Sequence, residues 1–315
     1  MRAIVVSRFG GPEVLKEQVL PDPVAGAGQV LVRVEAASAN PVDVQARRGD
    51  YAEHAAAPLV VGSDLAGIVV EVGAGVRDLA SGDAVLAMTP LFTGHGTYAS
   101  LHAIDASVVA RRPPGLGPHE AAALPVAGLT AREAFLRTRL AASETVLVHA
   151  GAGGVGSFAV QLATLRGARV IATCRRDNAA LVRSLGADVV IDYRSEDVVA
   201  RTLAATGGRG VDVVLDTVGG GAIEQALELL APNGRIASIV DTDRPQVLLA
   251  GWQRGIELHL FFTSPSRIGL EELATLAVDG RLRPLVDRVL PLALAAEAHR
   301  ALEAGGVRGK IILVP

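Results

Sequence analysis

The chain has 315 residues, of which half are hydrophobic and a fifth are charged, with a formal net charge of −3. This balance is typical of a globular protein long enough for two domains, and it excludes a disordered chain. Charges of both signs are spread along the sequence, so no basic field of the kind that binds nucleic acid is expected. The apolar residues come in short runs, which predicts no membrane partner.

The first residues predict the compartment, and the cysteine count excludes two kinds of site. Arg2 is followed by a short apolar run that ends near Arg8 and Gly10. A secretory signal needs a longer apolar core and a cleavage site, so we expect a cytoplasmic protein. Cys174 is the only cysteine, which excludes an internal disulfide and a metal site built from several thiolates.

The hydrophobic pattern changes along the chain and predicts an α/β fold with two parts. Residues 1 to about 120 are β-rich, with strand-like runs at 3–6, 30–36, 67–72, 83–88 and 97–101. From 144 to 262, strand-like runs alternate with helical stretches, the strands being 145–149, 169–173, 188–192, 211–216, 235–240 and 257–262. Such repetition requires parallel pairing with helices on both faces, as in a doubly wound Rossmann sheet. The tail from 271 to 315 predicts two helices and a final strand at 309–314.

A glycine turn follows the first of these parallel strands. Residues 146–156 form an apolar strand that leads into Gly-x-Gly-x-x-Gly and then into a helix at 155–166. Gly151 permits the tight turn, Gly153 lets the backbone approach a pyrophosphate, and Gly156 allows close helix packing. The N–H groups that begin the helix, at Gly154 and Val155, favour a phosphate. The turn therefore predicts a dinucleotide site.

The end of the second parallel strand indicates which dinucleotide is bound. NAD sites usually carry an acidic residue there, but this strand ends in Thr173, Cys174, Arg175 and Arg176. Two guanidinium groups suit the 2′-phosphate of NADPH, whereas an acid would repel it. Asp177, the nearby acid, is interpreted as the cap of the next helix. The alternative, that both arginines are solvated surface charges, stays open.

Four segments occur in an order that resembles a known family: residues 39–43 (Ala-Asn-Pro-Val-Asp), 62–67 (Gly-Ser-Asp-Leu-Ala-Gly), 123–131 and the glycine turn. Together they resemble the medium-chain dehydrogenase/reductase superfamily, in its zinc-free, zeta-crystallin-like quinone oxidoreductase branch. Shorter matches at 185–188, 192–193, 216–219 and 309–311 extend the resemblance over nearly the whole chain. It implies a GroES-like catalytic domain at 1–120, completed by 264–315, and a Rossmann NADPH-binding domain at 121–263.

The resemblance also implies that the protein works without zinc. Zinc-dependent relatives carry a cysteine near the position of Asn40, Gly-His-Glu in place of Gly62-Ser63-Asp64, and a four-cysteine loop, all of which this sequence lacks. No metal is therefore expected. Without a Lewis acid, acceptors that need little activation are favoured, such as quinones and carbonyl-conjugated C=C bonds.

Two residues are implied as catalytic. Asn40 is expected beside the nicotinamide, where its amide would donate a hydrogen bond to a substrate carbonyl oxygen. Tyr51 would stabilise or protonate an enolate through its phenol, or else form a partly exposed aromatic wall. Asp43 is interpreted as structural, holding the turn of Asn40. Loops around 43–58, 89–96 and 241–268 are expected to form the pocket walls.

The remaining cofactor contacts are implied by position within the family. Thr130 would touch the nicotinamide side, Tyr193 would lie along the adenosine, and Val218, Phe262 and Thr263 would contribute contacts beside the nicotinamide. Lys310, one of two lysines in the chain, would approach the cofactor cleft or be a solvated strand-end residue.

These observations predict an enzyme that transfers hydride from NADPH to a quinone or an α,β-unsaturated carbonyl compound. Two alternatives stay open: an enoyl-thioester reductase of the same fold, and a non-catalytic NADPH-binding structural or sensor protein. Relatives dimerise through the last strand of the sheet, near Phe261 and Phe262, so we expect a homodimer.

Overall fold

The computed structural model describes residues 1–240 and 245–315. Contacts divide the chain into two compact units, the first formed by Met1–Leu129 with Ser264–Pro315 and the second by Thr130–Thr263. The first division thus follows Leu129, within a helix, whereas the sequence places a domain boundary after residue 120. Over the described ranges, no helix has both the length and the apolar character needed to cross a membrane.

Each unit combines β-strands with α-helices. In chain order, the strands are β1 (Arg2–Val6), β2 (Leu15–Val19), β3 (Gln29–Ala39), β4 (Leu59–Val60), β5 (Asp64–Val72), β6 (Ala84–Met88), β7 (Leu101–Asp105), β8 (Val109–Arg111), β9 (Thr145–Val148), β10 (Arg169–Cys174), β11 (Val189–Asp192), β12 (Val211–Asp216), β13 (Leu230–Ser238), β14 (Glu257–Leu260), β15 (Val286–Pro291) and β16 (Lys310–Val314). The helices are α1 (Pro41–Arg48), α2 (Pro118–Ala123), α3 (Pro125–Arg137), α4 (Gly154–Leu165), α5 (Ala179–Ser184), α6 (Val198–Ala205), α7 (Ala222–Leu229), α8 (Pro245–Arg254), α9 (Arg267–Val278) and α10 (Ala295–Ala304).

The first unit is built on a mainly antiparallel sheet. Its strands follow the order β15-β16-β3-β5-β6-β8, with β7 paired to β3, and a smaller sheet has the order β2-β1-β4. Strand β16 pairs with β3 through Ile311 and Ala39, and β3 pairs with β5 through Ser38 and Asp64. This register brings the start of β16, the end of β3 and the start of β5 together.

The second unit is the predicted doubly wound sheet. Six parallel strands lie in the order β11-β10-β9-β12-β13-β14, which puts the first strand in the middle and reverses the winding beside it. All four residues of β9 are buried, as expected for a central strand covered by helices on both faces. Because the strands are parallel, the loops that follow them meet at one edge of the sheet.

Several predicted elements need correction. The strand predicted at 97–101 is wrong: the strand begins at Leu101, because Tyr98 is held by single backbone bonds to Val61 and Ile4 and does not form a ladder. Helix α5 begins at Ala179 after a 3-10 turn, and its N-cap residue is Asn178. Asp177 therefore does not cap it, contrary to the interpretation from sequence.

Candidate active site

The glycine turn has the geometry that a pyrophosphate needs. Gly153 is the N-cap residue of α4, and its N–H donates to the Ala150 carbonyl oxygen at 2.8 Å. A Cβ on Gly156 would lie 2.2 Å from that same oxygen, so only glycine fits there. The first N–H groups of α4, at Gly154 and Val155, have no intrahelical acceptor and are available to an anion. The turn therefore fits the pyrophosphate of a dinucleotide.

Thr173 fixes this turn from the neighbouring strand. It is buried at the end of β10, and its hydroxyl oxygen accepts a hydrogen bond from Ala150 N at 3.1 Å. Its carbonyl oxygen accepts another from Gly151 N at 2.8 Å. Both contacts hold the turn against the end of β10.

The two arginines follow directly, at the same edge of the sheet. Arg175 is partly exposed, and Arg176 is 82% exposed with its Nε 3.9 Å from Asp192 Oδ2. A hydrogen bond from the Ser195 hydroxyl, at 2.7 Å, lowers the pKa of Asp192 and keeps it ionised. Tyr193 follows β11 and is half exposed. The end of β10 thus presents two guanidinium groups at the surface, and the single long contact between Arg176 and Asp192 leaves hydrogen-bond donors that fit a 2′-phosphate.

Asp216 holds the loop after β12, a role that sequence reasoning missed although the residue lies in the matched segment 216–219. Its Oδ1 accepts hydrogen bonds from Val218 N at 2.9 Å and Gly219 N at 3.1 Å, and lies 3.3 Å from His149 Nδ1. Burial raises the pKa of Asp216, but these hydrogen bonds outweigh it and the pKa is lowered. Val218 is therefore presented at a fixed place with its side chain 60% exposed. The sequence signal that could have identified Asp216 is an acidic residue at the end of a predicted parallel strand.

The other predicted cofactor contacts belong to the first and last residues of this unit in the sequence. Thr130 is buried on α3, while Phe262 is about half exposed after β14. Thr263 donates its hydroxyl to Glu133 Oε2 at 2.9 Å, one helical turn from Thr130. The structure therefore brings Thr263 to α3.

In the first unit, Asn40 begins α1 and forms a capping box with Asp43. Asn40 N donates to Asp43 Oδ2 at 2.9 Å, which confirms that Asp43 holds the Asn40 turn. The Asn40 side chain is 2% exposed; its Nδ2 donates to Asp64 Oδ2 at 2.9 Å and its Oδ1 accepts from Lys310 Nζ. Both ends of the amide are thus engaged inside the protein.

Lys310 is the buried cation of this cluster. It is 3% exposed, donates to the Ala39 carbonyl oxygen at 3.1 Å and lies 3.4 Å from Asp64 Oδ2. The alternative of a solvated strand-end lysine is therefore wrong. Asp64 also accepts from the Ser38 hydroxyl and, at 2.7 Å, from Val126 N. The register of β16, β3 and β5 assembles these groups.

Asp43 is a second buried carboxyl group beside this pair. Burial and the charge of Asp64 raise its pKa to about 6, although Lys310 and hydrogen bonds from Asn40 and Ser63 act in the opposite direction. One ammonium thus faces two carboxyl groups, and Asp43 can exchange a proton near neutral pH.

A small cavity that opens to solvent lies against Asp43. Most of the residues that line it are apolar, and its polar lining side chains are Asp43, Ser63 and Thr93; the larger apolar side chains are Val42, Leu59, Val60, Leu91 and Phe92. The Tyr51 ring packs on Phe92 with centroids 4.2 Å apart, and burial raises the pKa of its phenol. The expected wall segments 43–58 and 89–96 thus contribute to the cavity, whereas 241–244 lie outside the described residues.

The residues around Asn40 do not fit zinc. Within ranges 1–240 and 245–315, no group of three or more His, Cys, Asp or Glu residues is arranged to hold a metal ion. The carboxylate of Asp64 is already compensated by Lys310, and Ser63 offers only a hydroxyl.

Comparison with known proteins agrees with this architecture. Residues 26–114 match the family model "Alcohol dehydrogenase GroES-like domain" and residues 185–313 match "Zinc-binding dehydrogenase". The chain is 34% identical to a chloroplastic NADPH-dependent alkenal/one oxidoreductase of Arabidopsis thaliana, covering 100% of this chain and 80% of the relative. The quinone oxidoreductase structure from Coxiella burnetii is 33% identical with a TM-score of 0.92, covering 100% of this chain and 99% of that one.

The Escherichia coli quinone oxidoreductase, whose structure was solved with NADPH, is 31% identical with a TM-score of 0.89, and the match covers 100% of both chains. Identities of this size over complete chains go beyond a shared fold. The chain therefore belongs to the medium-chain dehydrogenase/reductase superfamily, in its quinone oxidoreductase branch.

Proposed function

We propose that this protein is an oxidoreductase that transfers hydride from NADPH to a quinone or an α,β-unsaturated carbonyl compound. The observation that carries the proposal is the glycine turn followed by Arg175 and Arg176 at the end of β10. The turn supplies backbone donors for a pyrophosphate, and the arginines supply charge for a 2′-phosphate. Relatives named NADPH-dependent alkenal/one oxidoreductase and quinone oxidoreductase support the same activity.

The acceptor follows from the chemistry of the cavity in the first unit. Its apolar lining residues suit a flat, uncharged molecule, and the Ser63 hydroxyl, paired with Asp43, can offer a hydrogen bond to an oxygen atom of that molecule. Over residues 1–240 and 245–315, the side chains form no ligand set for a zinc ion that would polarise a simple ketone. Quinones and enones suit this cavity because their conjugation already makes them good hydride acceptors.

Each predicted residue has a proposed role. The glycine turn binds the pyrophosphate through Gly151, Gly153, Gly154, Val155 and Gly156. Thr173 holds this turn in place. Tyr193 contacts the adenosine, while Thr130, Val218, Phe262 and Thr263 contact the nicotinamide half. NADPH, when bound, supplies the hydride.

Asn40 and Lys310 have a different proposed role. Because the Asn40 amide is bonded to Asp64 and Lys310, we propose that it shapes the end of the cavity and does not donate directly to the substrate. Tyr51 is proposed to support the cavity wall through Phe92 and to remain protonated, since the pKa of its phenol is raised.

The domain roles, assembly and location remain proposals. We propose that the first unit is the catalytic domain and that the second binds NADPH. A homodimer is supported by β14, which forms one edge of the six-stranded sheet, and by the exposed side chains of Leu260 and Phe262 beside it. Sedimentation showing a monomer at micromolar concentration would contradict it. The cytoplasmic location stays a prediction.

The test is an acceptor panel with purified protein. NADPH or NADH is mixed with quinones, free enones and acyl thioesters of the same enoyl group, and loss of nicotinamide absorbance is followed. We expect turnover of quinones or free enones with a preference for NADPH. Turnover of thioesters alone would favour an enoyl-thioester reductase, and tight NADPH binding without oxidation by any acceptor would favour a sensor protein.

A further inference from the structure

Ser63 and Asp43 form a hydrogen-bonded pair at the polar end of the cavity. Ser63 Oγ donates to Asp43 Oδ1 at 3.0 Å, and both residues line the cavity. Both are nearly fully buried, at 5% and 2% exposure, so bulk water does not surround the pair. A hydroxyl backed by a carboxyl group and facing an apolar cavity is suited to passing a proton.

The other oxygen of Asp43 is occupied by donors that come from within the protein. Oδ2 accepts from Asn40 N at 2.9 Å and from the Tyr98 hydroxyl at 3.3 Å. The Tyr98 oxygen also lies 3.3 Å from His299 Nε2. Burial, with the charge of Arg47, lowers the pKa of His299 to about 3, so its ring is neutral and carries one proton.

These contacts decide where a proton on Asp43 would sit. If the His299 proton is on Nε2, it donates to the Tyr98 oxygen, which frees the Tyr98 hydroxyl to donate to Asp43. The other ring nitrogen, Nδ1, then serves only as an acceptor, and it is buried without a hydrogen-bond partner among the described residues. Because Oδ2 already accepts three donors, the third being Asn40 Nδ2 at 3.4 Å, an added proton sits on Oδ1, where it faces Ser63. The Ser63 hydroxyl then accepts from Asp43 and directs its own hydrogen into the cavity.

We propose that Ser63 is the proton donor of the reaction and that Asp43 recharges it. The inference rests on the proposed function. As hydride adds to the β-carbon of an enone, the C=C electron pair shifts and the carbonyl oxygen becomes an enolate. The Ser63 O–H bond breaks and its proton goes to the enolate oxygen, while the Asp43 O–H bond breaks and its proton goes to Ser63 Oγ. Asp43 is left as a carboxylate, NADPH is oxidised by two electrons, and the resulting enol becomes the saturated carbonyl.

The surroundings of Asp43 suit this role. Among the described residues, the titratable groups that face it are Asp64, Lys310 and Tyr98, with His299 behind Tyr98, and the negative charge of Asp64 favours the protonated form. With a pKa of about 6, Asp43 is protonated below that pH and ionised above it. A step that needs the protonated acid should therefore slow about tenfold per pH unit above 6 once it limits the rate.

The experiment compares variants in enone reduction. Ser63→Ala removes the donor, Ser63→Thr keeps a hydroxyl, and Ser100→Ala is the matched control because Ser100, whose hydroxyl accepts from Arg2 N, is not part of the cavity. Asp43→Asn keeps an acceptor for Ser63 but cannot release an acidic proton. Rates are measured from pH 5 to 9 in H₂O and D₂O, with NADPH and with NADPH deuterated at C4, together with NADPH binding.

We expect Ser63→Ala to lower kcat by about 10²-fold, with NADPH binding within about twofold of wild type. In the Ser63→Ala variant, the solvent isotope effect on the rate should rise because protonation becomes rate-limiting. For the same reason, the isotope effect from NADPH deuterated at C4 should shrink. Ser63→Thr should keep most of the activity, and Asp43→Asn should lose the decline of rate above pH 6. A purely structural role would lower the rate with both isotope effects unchanged, and that result would overturn the inference.

Two further outcomes separate this inference from the proposed function. A wild-type protein that reduces no acceptor overturns both. An active wild type whose Ser63→Ala variant keeps its rate within about twofold overturns the proton-donor role alone.

Discussion

Replacement of Lys310 by methionine tests the charge arrangement on which the first unit depends. Lys310 Nζ donates to the Ala39 carbonyl oxygen at 3.1 Å and to Asn40 Oδ1, and it lies 3.4 Å from Asp64 Oδ2. Methionine has a similar length but carries no charge and donates no hydrogen bond. Lys310→Met therefore leaves two buried carboxyl groups, those of Asp43 and Asp64, without their cation.

The expected cost can be worked out from this geometry. At 3.4 Å and an effective dielectric constant of about 20, Coulomb's law gives about 5 kcal/mol for the Lys310–Asp64 pair. Removing one partner of a buried ion pair typically costs about 3–5 kcal/mol. We therefore expect Lys310→Met to lower the free energy of unfolding of the first unit by about 3–5 kcal/mol at pH 8.

The loss should depend on pH, with a sign set by Asp43. Lys310 opposes the upward shift in the pKa of Asp43, so its removal raises that pKa above the present value of about 6. Because the pKa of Asp43 in the folded variant is higher than in folded wild type, Asp43 of the variant takes up a proton at pH values where Asp43 of wild type is still ionised. The variant should recover stability relative to wild type as the pH falls through this range, by about 1.4 kcal/mol per pH unit for one proton.

Hydrogen exchange of backbone amides in β16 and β3, with calorimetry at pH 8 and pH 5, measures this loss. Fluorescence is unsuitable because Trp252, the only tryptophan, belongs to the second unit and is 82% exposed. Lys16→Met is the matched control, since Lys16 is the other lysine and is exposed. A loss below about 1 kcal/mol at pH 8, or an equal loss at both pH values, would refute the assigned role of Lys310.

Three further predictions concern the cofactor site and Asp43. Gly156→Ala places a Cβ 2.2 Å from a carbonyl oxygen, so calorimetry should show at least about tenfold weaker NADPH binding, and an unchanged Kd would contradict the assigned turn geometry. Arg175→Ala and Arg176→Ala should each raise the Kd for NADPH about tenfold and leave NADH within about twofold, with Arg209→Ala, near the start of β12, as control. An unchanged NADPH-to-NADH ratio would remove both arginines from the site. Because the pKa of Asp43 is raised to about 6, wild type should lose about 2 kcal/mol of unfolding free energy relative to Asp43→Asn as the pH rises from 4 to 6. A constant difference in chemical denaturation would disprove this titration.

Much of the second unit can be predicted from sequence because its determinants are local. Each buried parallel strand is a short apolar run, and the run at 211–216 predicts β12 with its observed bounds, Val211–Asp216. The glycine turn is equally local, since the contact that requires Gly156 is made with Ala150. The first unit is less predictable: β2 carries Lys16, Glu17 and Gln18, a polar run with no strand signal.

The polar cluster of the first unit cannot be predicted from local patterns, because it depends on contacts far apart in the sequence. Lys310 and Asn40 are separated by 270 residues and meet only through the pairing of β16 with β3. The local motif does predict that Asp43 holds the Asn40 turn, since the two residues of a capping box are only three positions apart. It does not reveal that Asp43 also meets Ser63 and Tyr98. These contacts depend on the register between strands that are far apart in the sequence, and no local pattern encodes that register.

Transfer of deuterium from NADPH deuterated at C4 tests the proposed activity most directly. The protein is incubated with each C4 stereoisomer of the labelled cofactor and a free enone, and the reduced product is analysed by NMR and mass spectrometry. We predict one deuterium on the β-carbon from a single stereoisomer, and a solvent-derived hydrogen on the α-carbon. Oxidation of NADPH that leaves the product unlabelled with both stereoisomers would contradict direct hydride transfer.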